Sequence, residues 1–233
     1  MAAADEILTE ATGTGSRLSL RFERRGDRWT QSIDLIQDSR RYALLESVDA
    51  GPGAAAVNST ESGWPPSPPL QQLLVEDRGA GGRVALLVGM AGRSHWSMSV
   101  EAAPGRAALR FDVACRLGVV PDWLGSVWRL AMPADLEESV GSLPRFELSE
   151  SRRLLTARFG AGELLVEAAE VAVQTADEVH CEISHLEESS GRLAPSEGRI
   201  AVRLGAGRLP RTVRWIYVVE WRKRMLKPND RPD

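Results

Sequence analysis

Short stretches in which apolar residues alternate with polar ones recur along almost the whole chain, and Gly, Pro, Ser or Asp closes each stretch. A period of two puts alternate side chains on opposite faces, so each such stretch reads as a strand with one face buried. Leu18, Leu20 and Phe22 alternate with Ser19, Arg21 and Glu23, and Gly26 and Asp27 then turn the chain into a second stretch over 29–36. Further strands are predicted over 42–48, 70–75, 83–88, 94–101, 108–115 and 127–132, and then over 146–148, 154–159, 164–168, 171–174, 199–204 and 213–221. A dozen or more short strands at this spacing predict a mainly β protein: a large antiparallel β-sandwich or barrel with one or two short helices.

Two places compete with a pure β pattern. The segment 133–141 opens on Pro133 and closes on Gly141, residues suited to a first helical position and a helix C-terminus, and a short helical connector is expected there. In 175–190, Thr175 and Glu178 fit a capping box while Ala176, Val179, Ile183 and Leu186 recur at helical spacing. Val179, Cys181 and Ile183 also alternate as a strand would, and their β-branched members favour that reading. The expected organisation is a single β domain over 16–222, with possible halves 16–132 and 145–222, an N-terminal tail over 1–15 and a C-terminal tail over 223–233.

At 233 residues such a domain should bury about 70 to 75% of its unfolded surface and needs no disulfide staple. Its only cysteines, Cys115 and Cys181, sit at apolar positions and are expected to be buried and unpaired. The first ten residues carry Asp5 and Glu6 and lack a cationic start followed by an apolar run. No apolar run approaches the ~20 residues of a spanning helix. A cytoplasmic location is expected. The net charge of −3 is too small to argue for nucleic acid or for an anionic membrane surface, and neither is expected as a partner. Arg222, Lys223 and Arg224 read as a solvated end.

The sharpest candidate site comes from reading 94–115 as one hairpin. With Pro104 and Gly105 at the centre of a two-residue turn, Val100 would meet Leu109, Met98 would meet Phe111 and Trp96 would meet Val113. The other face would pair His95 with Ala114 and Ser97 with Asp112, so that His95 and Asp112 become diagonal neighbours with Arg110 and Glu101 nearby. A carboxylate beside an imidazole orients it and holds its pKa near neutrality, which makes His95, Asp112 and Ser97 catalytic candidates. The plain alternative is a hydrogen-bonded polar face that meets solvent. Trp64, Arg110 and Glu101 are the candidate binding residues.

Seven tryptophans suggest stacking on a sugar, but Trp96, Trp215 and Trp221 keep register with apolar neighbours and belong to a core, leaving Trp64, Trp123 and Trp128 freer. The run from Trp64 to Pro69 contains two PxxP spacings that could dock an aromatic groove. It reads first as a rigid extended crossover anchored by Trp64. Gly89 and Gly92 mark a bend or a bulge, or a place where a ligand approaches the backbone. His95, His180 and His185 have no metal-ligand spacing, and no phosphate loop or nucleophile elbow is present, so no metal or cofactor is assigned.

The segments 89–101 (GMAGRSHWSMSVE) and 109–116 (LRFDVACR), with 64–69 (WPPSPP), resemble uncharacterised planctomycete-type bacterial proteins, which implies a bacterial origin and no particular chemistry. The quantity of β pattern is similar to that of the galactose mutarotase-like sandwiches, a likeness of fold alone. The expected function is a non-catalytic module that binds a protein or small-molecule partner. Its alternatives are a carbohydrate-active, mutarotase-like protein and a hydrolase built on His95 and Asp112. Whether the chain is an enzyme stays open.

Overall fold

The computed structural model describes residues 6–9, 15–48, 65–79, 82–131, 145–159, 162–169, 178–184 and 197–223. They form fifteen strands: β1 (Glu6–Leu8), β2 (Arg17–Arg25), β3 (Arg28–Gln37), β4 (Arg40–Ser47), β5 (Gln72–Asp77), β6 (Arg83–Ala91), β7 (Ser94–Ala102), β8 (Ala108–Leu117), β9 (Gly125–Leu130), β10 (Arg145–Leu148), β11 (Leu154–Phe159), β12 (Gly162–Ala168), β13 (Glu178–Ser184), β14 (Glu197–Arg203) and β15 (Arg211–Lys223). The pairing is antiparallel throughout, in a seven-stranded sheet ordered β1-β2-β3-β4-β9-β14-β13 and an eight-stranded sheet ordered β10-β11-β12-β15-β8-β7-β6-β5. This is a sandwich of two open sheets. Each sheet takes strands from both sides of the 132–144 segment, so the chain is not laid out as two consecutive halves.

Residues 178–184 are strand β13, paired with β14 through Cys181↔Ile200, which settles the choice at that segment. The predicted connector over 133–141 and the predicted strand over 171–174 lie outside the described residues. Among the described residues no helix is long and apolar enough to cross a membrane. One strand falls where a tail was expected. β1 has only three residues, too few to show a period, yet it pairs with β2 and buries Ile7 completely.

The core lies between the sheets and is built from the alternating positions. On β15, Val213, Trp215, Tyr217, Val219 and Trp221 all point inward and are essentially inaccessible. Tyr217 stacks on Phe111 of β8 with centroids 4.6 Å apart, and Phe111 meets Trp128 of β9, in the opposite sheet, edge-on at 5.6 Å. Burial drives the Tyr217 hydroxyl pKa upward, an effect that its contacts with Ser126 and Trp128 only partly offset. Trp128 is thus part of the core and not an exposed ring, because Ser126, Trp128 and Leu130 form the inward set of β9. Cys115 and Cys181 are both fully buried free thiols.

The proline run bridges the two sheets. Ser67 Oγ donates to Val127 O and accepts from Val127 N, each at 3.1 Å, and Trp123 Nε1 donates to Pro66 O at 3.1 Å. Leu70 O accepts from Trp29 N of β3 at 2.7 Å, while Gln71 N donates to Val88 O of β6 at 2.9 Å. Ser67, Pro68, Pro69 and Leu70 are buried, so the second PxxP spacing is committed to the fold and unavailable to a partner groove. Trp64 lies outside the described residues.

Candidate functional site

The hairpin that carries His95 and Asp112 forms, in a different register. Trp96 pairs with Cys115, Met98 with Val113, Val100 with Phe111 and Ala102 with Leu109. The physical reason lies in the turn. Arg106 N donates to Ala103 O, with Pro104 and Gly105 between them and Gly105 at φ 66°, the geometry of a type II turn. A two-residue hairpin needs a left-handed first central residue, which the proline ring forbids, so pairing resumes only at Ala103 and Ala108. The resulting shift of two residues keeps every side chain on its predicted face: Trp96 and Val113 are both inward. It does separate the polar group.

His95 now faces Arg116, Ser97 faces Ala114 and Ser99 faces Asp112. Asp112 therefore stands four residues along the strand from the position opposite His95, roughly 13 Å away. Its carboxylate is engaged by Arg214 of β15 through two hydrogen bonds, one of 2.6 Å from Nε, and Arg110 approaches at 3.5 Å while also pairing with Glu101 at 3.2 Å. The structure brings Asp112, Arg110 and Glu101 together as a ladder of alternating charge, and leaves His95 and Ser97 outside it. Among the described residues no imidazole–carboxylate pair exists on this face to activate a serine.

A different group assembles on the outer face of the seven-stranded sheet, where β9, β14 and β13 lie side by side. Arg129, Glu197 and Arg199 share that face because Arg129 pairs with Glu197 while Arg199, two residues on, pairs with Val127. The Glu197 side chain is only 6% exposed, and its nearest cationic nitrogens, Nη2 of Arg129 and of Arg199, each lie 3.6 Å away, beyond hydrogen-bond distance. The Nε atoms of both arginines are buried and have no hydrogen-bond partner among the described residues. Arg199 also sits over the Trp123 ring, 5.8 Å from its centroid. On β13, His180 Nε2 lies 2.8 Å from Glu182 Oε1, and Glu182 is opposite Arg199 in the β13–β14 ladder.

Of these residues the sequence drew attention only to Trp123, as a ring free to stack on a sugar, and to His180, as a histidine without metal-ligand spacing. The signals present were His180-x-Glu182 and Glu197-x-Arg199, each a period-two pair that lands on one face of a strand. What the sequence does not display is that β14 runs between β9 and β13. Arginine donors, a buried carboxylate, an imidazole and an indole form a set suited to hydroxyl or acidic groups on a ligand.

Beneath this face, between the sheets, Trp128, Leu130, Leu155, Leu164 and Ile200 help to line a cavity of about 20 Å³. That holds about one water molecule and excludes a sugar ring. Among the described residues no three His, Cys, Asp or Glu side chains converge as a metal site.

No family model and no curated protein sequence matches the chain. Several solved structures are similar in fold, two of which serve to show the extent of the likeness. One is a mutant of the heparan sulfate lyase HepC from Pedobacter heparinus, with a TM-score of 0.50 and 10% identity over 91% of this chain and 36% of the lyase. The other is described as a heparinase III gene product, with a TM-score of 0.50 and 8% identity over 95% of this chain and 37% of that one. The chain spans just over a third of the length of these proteins, and at such identity the likeness is one of fold alone.

Proposed function

We propose that this chain is a carbohydrate-directed β-sandwich module that holds an acidic glycan on the outer face of β9, β14 and β13 and does not cleave it unaided. The observation that carries this reading is the unmade hydrogen bonding around Glu197: two desolvated arginine Nε–H donors without acceptors, and a buried carboxylate whose nearest cationic nitrogens stand at 3.6 Å. Each such buried group costs about 1 to 3 kcal/mol until a partner arrives. A sugar carboxylate or sulfate would accept from Arg129 and Arg199, hydroxyls would donate to Glu197, and Trp123 would offer an apolar edge. The fold likeness to heparan sulfate lyases favours an acidic polysaccharide as the ligand. Among the described residues, the separation of His95 from Asp112 and the small volume between the sheets favour binding over chemistry.

Titration calorimetry with heparan sulfate oligosaccharides and a neutral glycan tests the reading. Binding of the acidic ligand, lost in Arg199→Ala and retained in Arg214→Ala, is expected. Absence of binding to any acidic glycan, or equal loss in both variants, would remove the proposal, and release of unsaturated oligosaccharides by the isolated chain would overturn its non-catalytic part.

A further inference from the structure

We infer that β5 is a dimerisation edge, and that two copies of this chain join their eight-stranded sheets by antiparallel β5–β5 pairing about a two-fold axis through Leu74. β5 is the last strand of its sheet, so among the described residues one side of its backbone has no ladder partner. Edge strands of monomers are normally guarded by shortness, lysine, proline or a bulge. The other outer strands of the two sheets show such guards: β1 has three residues, β10 has four with Arg145 and Glu147 among them, and β13 alternates Glu178, His180 and Glu182. β5 carries Gln72-Leu73-Leu74-Val75-Glu76-Asp77, without proline or lysine; its two charges sit together at its C-terminal end and leave the centre apolar, and its pairing with β6 runs without a register shift. Leu74 at its centre is 55% exposed and points outward beside Leu86, its partner on β6.

The register of self-pairing follows from the residues. A two-fold axis perpendicular to the sheet keeps outward residues opposite outward residues, so the axis can pass only through a residue and not between two. Centred on Leu74, the pairs are Leu74 with Leu74, Leu73 with Val75 and Gln72 with Glu76, which places apolar opposite apolar, polar opposite polar and no like charges together. Centring on Leu73 sets Leu74 against Gln72, and centring on Val75 sets Leu74 against Glu76 and Leu73 against Asp77, both mismatched. With the axis at Leu74 the outer face gains a continuous row of Leu86 and Leu74 from one copy followed by Leu74 and Leu86 from the other.

A six-residue edge is about 20 Å long and buries less than the roughly 1,200 Å² of a standard stable interface, so the dimer is concentration-dependent. Sedimentation over the micromolar range is expected to show reversible monomer–dimer exchange. Leu74→Lys, which sets two ammonium groups across the axis, should raise the dissociation constant by at least about tenfold, the factor equivalent to ~1.4 kcal/mol. Val88→Lys, at another exposed apolar residue one strand in, should leave it unchanged. An equimolar mixture of Leu74→Lys and Leu74→Glu should restore association as a heterodimer. A chain that stays monomeric at every concentration, or a dimer indifferent to Leu74→Lys, would overturn the inference. Circular dichroism of each variant separates loss of pairing from loss of fold.

Discussion

Gly89→Ala should damage this protein far more than its chemistry suggests. Gly89 lies in β6, opposite Trp96, and its φ is not in the left-handed region, so an alanine backbone fits there without strain. The obstacle is the chain itself: a Cβ would stand 1.8 Å from the Pro69 carbonyl oxygen and 2.9 Å from Leu70 Cα. An ordinary carbon–oxygen contact is about 3.3 Å, so the Pro69–Leu70 backbone would have to retreat by roughly 1.5 Å. That movement breaks the bonds from Trp29 N to Leu70 O and from Gln71 N to Val88 O, which tie β3 and β6 to the crossover. Two backbone bonds at ~1 kcal/mol each, with buried groups left unpaired, give a loss of about 3 to 5 kcal/mol. For a domain of this size that lowers the melting temperature by roughly 6 to 20 °C in differential scanning calorimetry. Gly105→Ala is the control: its φ of 66° penalises any side chain, but no atom lies within 4 Å of the added Cβ, so about 1 to 2 kcal/mol is expected. If Gly89→Ala melts as high as Gly105→Ala, the close approach of the crossover to β6 is wrong.

Two further outcomes follow from the buried and charged groups. Burial pushes the Cys115 thiol up to about 12 and, with smaller offsetting contacts, the Cys181 thiol to about 11, so both should resist a thiol reagent in native buffer and react on addition of denaturant; labelling of either within the mixing time would contradict the core packing. Partial burial raises the Glu220 carboxyl, but hydrogen bonds from Arg106 and Arg222 outweigh it and hold it below its ordinary value. A depressed carboxylate stabilises the fold above its unfolded pKa, and that contribution disappears as pH falls through the folded value. Glu220→Gln should therefore flatten the acid limb of a plot of urea midpoint against pH while leaving its shape above neutrality intact, and an unchanged acid limb would sink the assignment.

Much of the fold was legible because burial on one face imposes a period that does not depend on partners. Val213, Trp215, Tyr217, Val219 and Trp221 alternate in the sequence and all face the core. Trp128 was harder to place, since Val127 beside it on the opposite face is also buried and the contrast between faces is lost. The Pro104-Gly105 turn marked the right place with the wrong span, because proline at the first central position selects a turn whose twist strands cannot follow directly. The pairings β4–β9 and β9–β14 join residues about 70 or more positions apart with no local signal. The Arg129, Glu197 and Arg199 group depends on the second of them. The glycines at 89 and 92 left a ligand's approach open; at 89 the approaching group is the protein's own Pro69.

The central position of β15 has a consequence for how the chain reaches this fold. β15 is the strand that joins β8 to β12, and so links the meander β5–β8 to the meander β10–β12. During synthesis residues 211–223 emerge after every other described strand, and until they do β8 and β12 present two long bare edges that flank nothing. Neither meander can close its sheet by local pairing alone, and the Phe111–Tyr217 stack has only one of its two rings. From the completion of β8 at Leu117 until Arg211 is made, a nascent chain of this topology is exposed to wrong edge-to-edge pairing, which is the condition under which chaperones act. A ribosome stalled before Arg211 would hold two unjoined fragments of sheet, and the cooperative event waits for β15.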